Sequence, residues 1–320
     1  MGHRLCLRHL PRHMISVFMV GTKKGIAQMA LSKLTRSRGA KQRVTALAAK
    51  EIVNQLTGFS LSNYHLSTEV HEDGWAFLNP QSKRLDKASL KRIADGSIIY
   101  VNTKETELFV RDYLPHLRSD FVLISSQLWS PPQPSGSVVD TVLSHEGLLA
   151  WFSPNREDDD LPIRPFPAGV ALRGISNILA AIKKHKSTPR ADAIYVPHSA
   201  VHDHLSEVPA LTRKGLQPFM AKPIRHQDYL EQLAKHRFVV SPAGDRPDTY
   251  RHWESIAMGA IPVSSLPKPF EELFGDSAIL VDDLVASVNG PFESTRAESD
   301  RTLASVDYWR RVVDKSTTRN

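Results

Sequence analysis

The sequence predicts an α/β protein whose parallel sheets are covered by helices. Short apolar runs such as "SIIYVN" (97–102) and "DFVLISS" (120–126) recur along the chain, separated by stretches of helical spacing. Alternation of that kind suits strands buried on both faces and joined by helical crossovers. The 320 residues are 41% hydrophobic and 23% charged, which is enough for a packed core and for two domains of ordinary size.

The elements follow in order. "MISVFMV" (14–20) reads as a first strand. It is too short to span a bilayer, which takes about 20 residues. A signal-peptide core there is disfavoured, because Lys23 and Lys24 follow and no small-residue cleavage site does. "GIAQMALSKL" (25–34) and "RVTALAAKEIVNQL" (43–56) have helical spacing. The strands at 97–102 and 120–126 flank the helical "KETELFVRDYLPHL" (104–117). "WSPPQPSGS" (129–137) is a loop, and "DTVLSHEGLLAWF" (140–152) reads as a short amphipathic helix. "GISNILAAIKKHK" (174–186), "DYLEQLAKH" (228–236), "DTYRHWESIAMG" (248–259) and "KPFEELFG" (268–275) read as helices. The strands between and after them are "ADAIYVP" (191–197), "RFVVSP" (237–242), "AIPVSS" (260–265) and "SAILVDD" (277–283). "DRTLASVDYWRRVVDK" (300–315) is a final helix. The acidic, proline-rich "NREDDDLPIRPFPAG" (155–169) suits an exposed, stiff connection. It divides the chain into two α/β domains, 1–160 and 161–320, facing each other across a cleft.

Charge is unevenly spread. Residues 1–50 hold eleven of the 41 Lys and Arg and none of the 34 acids, so the net +7 resides there and the remainder is mildly acidic. The body therefore has no polyanion footprint, and nucleic acid is not an expected partner. The basic segment reads first as a strand and helix with a solvated face. An Arg-rich transit peptide and a peripheral arm on anionic lipid remain open. Cys6 is the single cysteine, which fits a reducing compartment and a cytoplasmic chain, with membrane association through residues 1–50 as the variant.

The most informative stretch is "RFVVSPAGDRPDTYRHWESIAMGAIPVSS" (237–265). In open α/β sheets, ligands collect beyond the carboxyl ends of strands. Pro242 stops the ladder, Gly244 permits a tight turn, and Asp248 or Thr249 can cap the next helix. The first-turn N–H groups of that helix then form an anion site. Tyr250, Trp253, Ile256 and Ala257 share a core face; Arg251, Glu254, Ser255 and Met258 share another. A first-turn cation suits a phosphate, and a carboxylate one turn deeper suits a ribose diol. From spacing alone, an ordinary βαβ unit with an Arg251–Glu254 surface pair accounts for the block equally well.

This block resembles the donor-site motif of exostosin-type glycosyltransferases and their bacterial and viral relatives. That motif runs roughly Ser-Pro-x-Gly-x-Gly-x-Asp-x-x-Arg-x-Trp-Glu-Ala, then Gly-x-Ile-Pro-Val. "DFVLISS", "LLAWFSPNREDDDLPIRPFPAGV" and "VDYWRRVV" resemble further family segments, so the likeness covers about residues 97–312. It implies the GT-B fold, two Rossmann-like domains with a nucleotide-sugar held by the C-terminal one and a closing C-terminal helix. It implies a transferase of polysaccharide biosynthesis that moves a hexosyl or pentosyl unit to a glycan or glycoconjugate hydroxyl. Carried over, it puts Ser241, Gly244 and Asp248 in the donor loop, Arg251 at the diphosphate and Glu254 at the ribose. It implies no metal and no cofactor beyond the nucleotide-sugar co-substrate. Asn155 falls in its Trp-Phe-x-x-Asn segment, at the cleft.

The chain departs from the pattern at Arg246, Tyr250 and Ser255, which stand for Gly, His and Ala. Ile124-Ser125-Ser126 follows Leu123 where the family has Asn-x-Asp. An inverting transferase needs a base on the N-terminal domain, for which His145, Glu146 and Asp140 are candidates; each also reads as a surface residue or cap. The departures keep a second expectation alive, a non-catalytic nucleotide-sugar or glycan-binding protein on a degenerate scaffold. Elsewhere, His198, His202 and Asp203 read as a polar helix start more readily than a metal site. Asp158–Asp160 reads as a solvated loop, and Lys222 and Arg225 as positive potential beside the donor helix.

Overall fold

The computed structural model describes residues 42, 44–72, 74–126, 136–154, 161–198, 220–244, 247–288 and 298–319. Every described strand belongs to the unit that begins at Thr45. The fold is α/β with two sheets, both entirely parallel among the described residues. That agrees with Rossmann-like halves.

The larger sheet has the order β2-β1-β3-β4-β5-β6. Its strands are β1 (Tyr64–Leu66), β2 (Lys83–Arg84), β3 (Ser97–Asn102), β4 (Phe121–Ser126), β5 (Leu148–Ser153) and β6 (Ile163–Pro165). β3 and β4 pair along their whole length, Ser97 with Phe121 through Asn102 with Ser126, and every residue of both is buried. Their unbroken apolar runs are what central, two-sided strands require. Strand order doubles back at β1, which lies between β2 and β3, so a topological switch point falls there.

The stretch 140–152 is two elements, not one helix. Helix α4 (Gly136–Leu143) ends at a turn, and Leu148–Ser153 is strand β5. Gly147 makes that turn: a Cβ there would stand 2.8 Å from the Ser119 carbonyl oxygen. Trp151 and Phe152 then enter different core clusters on opposite sheet faces, as period-two alternation demands. Trp151 Nε1 donates to Ser125 Oγ at 2.8 Å.

The expected exposed connection is also corrected in its described part. Ile163–Pro165 forms edge strand β6, where a proline costs no ladder bond, and residues 165–170 are buried. Phe166 packs on Phe152 and Trp309. Gly169 takes φ 69°, and a Cβ on it would come within 2.5 Å of the Asn54 nitrogen. That close approach lets Val170 and Val53 pair, Val170 N–H to Val53 C=O at 2.9 Å.

The helix expected over 43–56 stops near Ala48. Asn54 is the reason. Its Nδ2 donates to the carbonyls of Ala49 and Ile52, and its Oδ1 accepts from Leu56 N–H. Such side-chain bonds compete with the helical ladder. A short helix, α1 (Thr57–Leu61), follows.

The smaller sheet has the order β10-β9-β8-β7. Its strands are β7 (Ala191–Tyr195), β8 (His236–Val240), β9 (Ile261–Ser264) and β10 (Ile279–Leu280). Helices α5 (Ile175–Lys184), α6 (His226–Lys235) and α7 (Tyr250–Met258) pack against one another beside it. Each precedes a strand, so their N-termini point to the carboxyl edge of the sheet. The final helix divides: a 3₁₀ turn over Arg301–Ala304, then α10 (Val306–Asp314), whose N-cap Ser305 accepts from Tyr308 N–H. One continuous apolar cluster holds Tyr100 and Phe152 from the first sheet together with Val239, Trp253 and Trp309 from the second half.

Candidate functional site at the carboxyl edge of the smaller sheet

The β8–α7 corner is built from the backbone outward. Ser241 N–H donates to Val263 C=O at 2.9 Å, the last ladder bond before Pro242. The Ser241 carbonyl accepts the Ser264 hydroxyl, whose oxygen accepts from His252 Nε2 at 2.9 Å. His252 Nδ1 accepts the Thr249 N–H at 3.0 Å. A backbone amide can only donate, so Nδ1 is the acceptor and Nε2 carries the proton. Thr249 is thus the N-cap, and His252 at the third helical position closes the box that Glu usually closes. His252 is fully buried, and burial first, then the charge of Arg251, pushes its pKa down to about 3. A histidine in the middle of the motif carries no periodic signal, so the sequence alone does not single it out.

Asp248 is also fully buried. Its Oδ2 accepts from Ala168 N–H at 2.8 Å and from Trp253 Nε1 at 2.6 Å. That oxygen points into the fold and pins the segment after β6 to helix α7; the helix cap belongs to Thr249. Gly244 has no room for a side chain, since a Cβ would meet Thr249 Cγ2 at 2.8 Å. The loop therefore lies tightly over the helix start. Ser241 is buried beneath it.

On α7, the expected core face holds for Trp253, Ile256 and Ala257, which are buried, while Tyr250 is half-buried and its Oη reaches Gln55 Oε1 at 3.1 Å. The expected second face is narrower than the spacing suggested. Ser255 and Met258 are buried, which leaves Arg251 and Glu254 as its solvent-reaching members. Arg251 Nη2 donates to the His198 carbonyl at 3.2 Å, just past the carboxyl end of β7. Glu254 Oε1 lies 3.1 Å from His226 Nε2, the first residue of α6. Tyr229, one turn further along α6, stacks beside His226, with ring centroids 6.0 Å apart and planes at 23°. Burial first, then the Glu254 charge, holds the Tyr229 phenol well above its ordinary pKa. Three helix N-termini, a guanidinium, a carboxylate, an imidazole and a phenol thus share one edge. Such a set can hold an anion at Arg251 and a diol at Glu254. Nothing local to the 237–265 block signalled His226 or Tyr229. Arg225 adds little field here, since it pairs with Asp228 at 2.8 and 3.0 Å, and Lys222 is exposed.

The acceptor-side candidates are not brought to this edge. His145 and Glu146 lie in the turn before β5, at the amino edge of the larger sheet. His145 Nδ1 accepts from Gly147 N–H, and its ring meets Phe121, the first residue of β4, edge-on. The Glu146 carbonyl accepts from Arg319. A six-residue strand is about 20 Å long, so neither side chain spans it to a ligand at the carboxyl edge. Asp140 is exposed in the middle of α4. Asn155, Arg246, His202, Asp203, Asp158–Asp160 and all but Lys50 of the basic residues in 1–50 lie outside the described residues.

At the carboxyl edge beside the β1–β3 switch point stand polar groups that the sequence did not signal. Glu69, on helix α2 (Thr68–Glu72), accepts from Asn102 Nδ2 at 2.8 Å and Lys104 Nζ at 2.7 Å. Glu105 accepts the Thr68 N–H with both oxygens. Among the described residues, no group of three or more His, Cys, Asp or Glu could hold a metal ion, and no helix is long and apolar enough to cross a membrane. Comparison with protein-family models and with curated protein sequences gives no match.

Proposed function

We propose that the chain is a glycosyltransferase that takes a sugar from a nucleoside-diphosphate sugar and transfers it to a hydroxyl of a glycan or glycoconjugate. The observation that carries this reading is the order along α7: a cation in the first turn, a carboxylate one turn deeper, both reaching solvent at the carboxyl edge of a parallel sheet. Arg251 and the α7 N-terminus supply positive charge to the departing diphosphate as the bond between the anomeric carbon and phosphate oxygen breaks. Glu254 accepts from the ribose hydroxyls. A GT-B arrangement is supported by two contacts that join the halves. The segment leaving β6 bonds to the loop leaving β8 through Ala168 and Asp248, and Tyr250 at the start of α7 bonds to Gln55.

A second reading has its own support. His145 and Glu146 sit at the amino edge of the larger sheet, opposite the edge where open α/β sheets collect ligands, which fits a protein that binds a nucleotide-sugar without transferring it. Thermal unfolding against UDP, GDP, CDP and ADP tests the shared premise, since a ligand of the folded state raises the midpoint. A rise with one nucleotide, lost in Arg251→Ala and Glu254→Ala proteins that remain folded, is the expected result. Unchanged midpoints with every nucleotide remove both readings. Release of nucleoside diphosphate from a sugar donor in the presence of acceptor then separates transferase from binder.

A further inference from the structure

Glu254 does not stand alone on its helix; a residue 28 positions earlier holds it. We infer that His226 is a positioning residue that fixes the Glu254 carboxylate for a ribose diol, so that the site takes ribonucleotides in preference to 2′-deoxyribonucleotides. This inference rests on the donor-site reading of Arg251 and Glu254.

The hydrogen-bond chemistry assigns the roles. An ionised carboxylate only accepts, so His226 Nε2 carries the proton and donates to Glu254 Oε1. Nδ1 is then the acceptor and faces Asn177 Nδ2 at 3.5 Å, on the first turn of α5. The imidazole is held on its other sides as well. It stacks on Tyr229, and a Cβ on Gly174 would stand 3.0 Å from its Cε1, so this edge is open to the ring because position 174 is glycine. Residues from α5, α6 and α7 and the turn before α5 thus set one imidazole, and the imidazole sets one carboxylate.

The carboxylate is mostly covered, with 12% of its side chain exposed, against 33% for His226. It stays an acceptor after accepting the His226 N–H, because an ionised carboxylate offers about four lone-pair sites. Two adjacent ribose hydroxyls can donate to it; a 2′-deoxyribose has lost one donor. A carboxylate held in one rotamer discriminates between the two sugars, whereas a swinging one adapts to either. A buried polar group built for a hydroxyl and left without it is the strong form of small-molecule selectivity. The contrasting expectation is an ordinary ion pair near the surface, which contributes little to anything.

Two variants divide the ring from its proton. His226→Phe keeps an aromatic ring on Tyr229 and drops the donor. His226→Gln drops the ring and keeps an N–H at similar reach. Each protein is first checked for an unfolding midpoint near that of the parent without nucleotide. Affinity is then measured by calorimetry for UDP, GDP, CDP and ADP and for their 2′-deoxy forms. The parent is expected to favour the ribo form of its preferred nucleotide by about tenfold or more. His226→Phe is expected to bring that ratio close to one, and His226→Gln to retain most of it. A parent that binds ribonucleotides in an Arg251-dependent way, with the ratio unchanged in His226→Phe, overturns the role of His226 and leaves the donor site standing. A parent that binds none of the eight compounds overturns both.

Discussion

Two buried histidines set how the fold answers to acid. His252 is pushed down to about 3 and His65 to about 4, in both cases mainly by burial. His65 lies against His71 Nε2 and Ser82 Oγ, each at 3.0 Å. In the unfolded chain both titrate near 6.5. Their neutral forms therefore contribute stability that is complete above about pH 6.5 and drains away as pH falls toward the folded values. Urea unfolding at pH 7 and pH 4.5 measures the loss. His252→Asn is expected to be less stable at pH 7 yet to lose about 1–3 kcal/mol less between the two pH values than the parent. Equal losses would show that His252 is charged or accessible in the fold. The residue scale also explains why Arg251 and Glu254 were legible and their partners were not. They sit on one helix at i and i+3, a spacing that can be counted along the chain. His198, His226 and Tyr229 reach them through contacts between elements.

At the scale of the element, α7 shows how a helix is bounded at both ends by tertiary groups. Its start is closed by Thr249 and His252. Its end turns at Gly259, with φ 85°, whose N–H donates to the carbonyl of Ile256. A Cβ at 259 would stand 2.6 Å from guanidinium nitrogens of both Arg190 and Arg301. Arg190 Nη1 donates to the carbonyls of Leu233 and Ala234, and its Nη2 to that of Met258. One guanidinium therefore caps the ends of α6 and α7 together. Gly259→Ala combines a left-handed φ with that contact and is expected to cost about 2 kcal/mol or more, read as a lower urea midpoint. A cost within about 0.5 kcal/mol would mean that the turn rearranges freely. The end of this helix was legible, because a glycine after an amphipathic run is the usual stop. The helix expected at 140–152 failed for a related reason: "LLAWFS" satisfies both a helical and a strand pattern, and Gly147 and pairing to β4 decide between them.

For the whole molecule, Asp248 is the most informative single position. It lies in the loop after β8, yet its Oδ2 serves Ala168, which follows β6, and Trp253 in the core cluster shared by both sheets. Asp248→Ala leaves a buried indole N–H and a buried amide without that acceptor. The expected cost is about 3 kcal/mol, measured by chemical unfolding. Arg251→Ala, three residues away and partly exposed, is expected to change stability by about 0.5 kcal/mol or less and nucleotide binding strongly. Equal stability effects at the two positions would contradict this division between pin and ligand group.

Local sequence determined much of the α/β class. The strands at 97–102, 121–126, 236–240 and 261–264 are apolar runs long enough to read without context, and helices of countable period lie between them. It determined the Arg251–Glu254 face for the same reason. Tertiary structure decided the rest. β1, β2 and β6 are two or three residues long, and pairing alone makes them strands. Strand order placed the switch point at β1, and the parallel direction of β5 put His145 and Glu146 at the amino edge of the larger sheet. His226 met Glu254 because α5, α6 and α7 pack together at the carboxyl edge of one sheet. The physical cause is common to these cases: periodicity reports which face of an element is buried, and says nothing of which other element buries it.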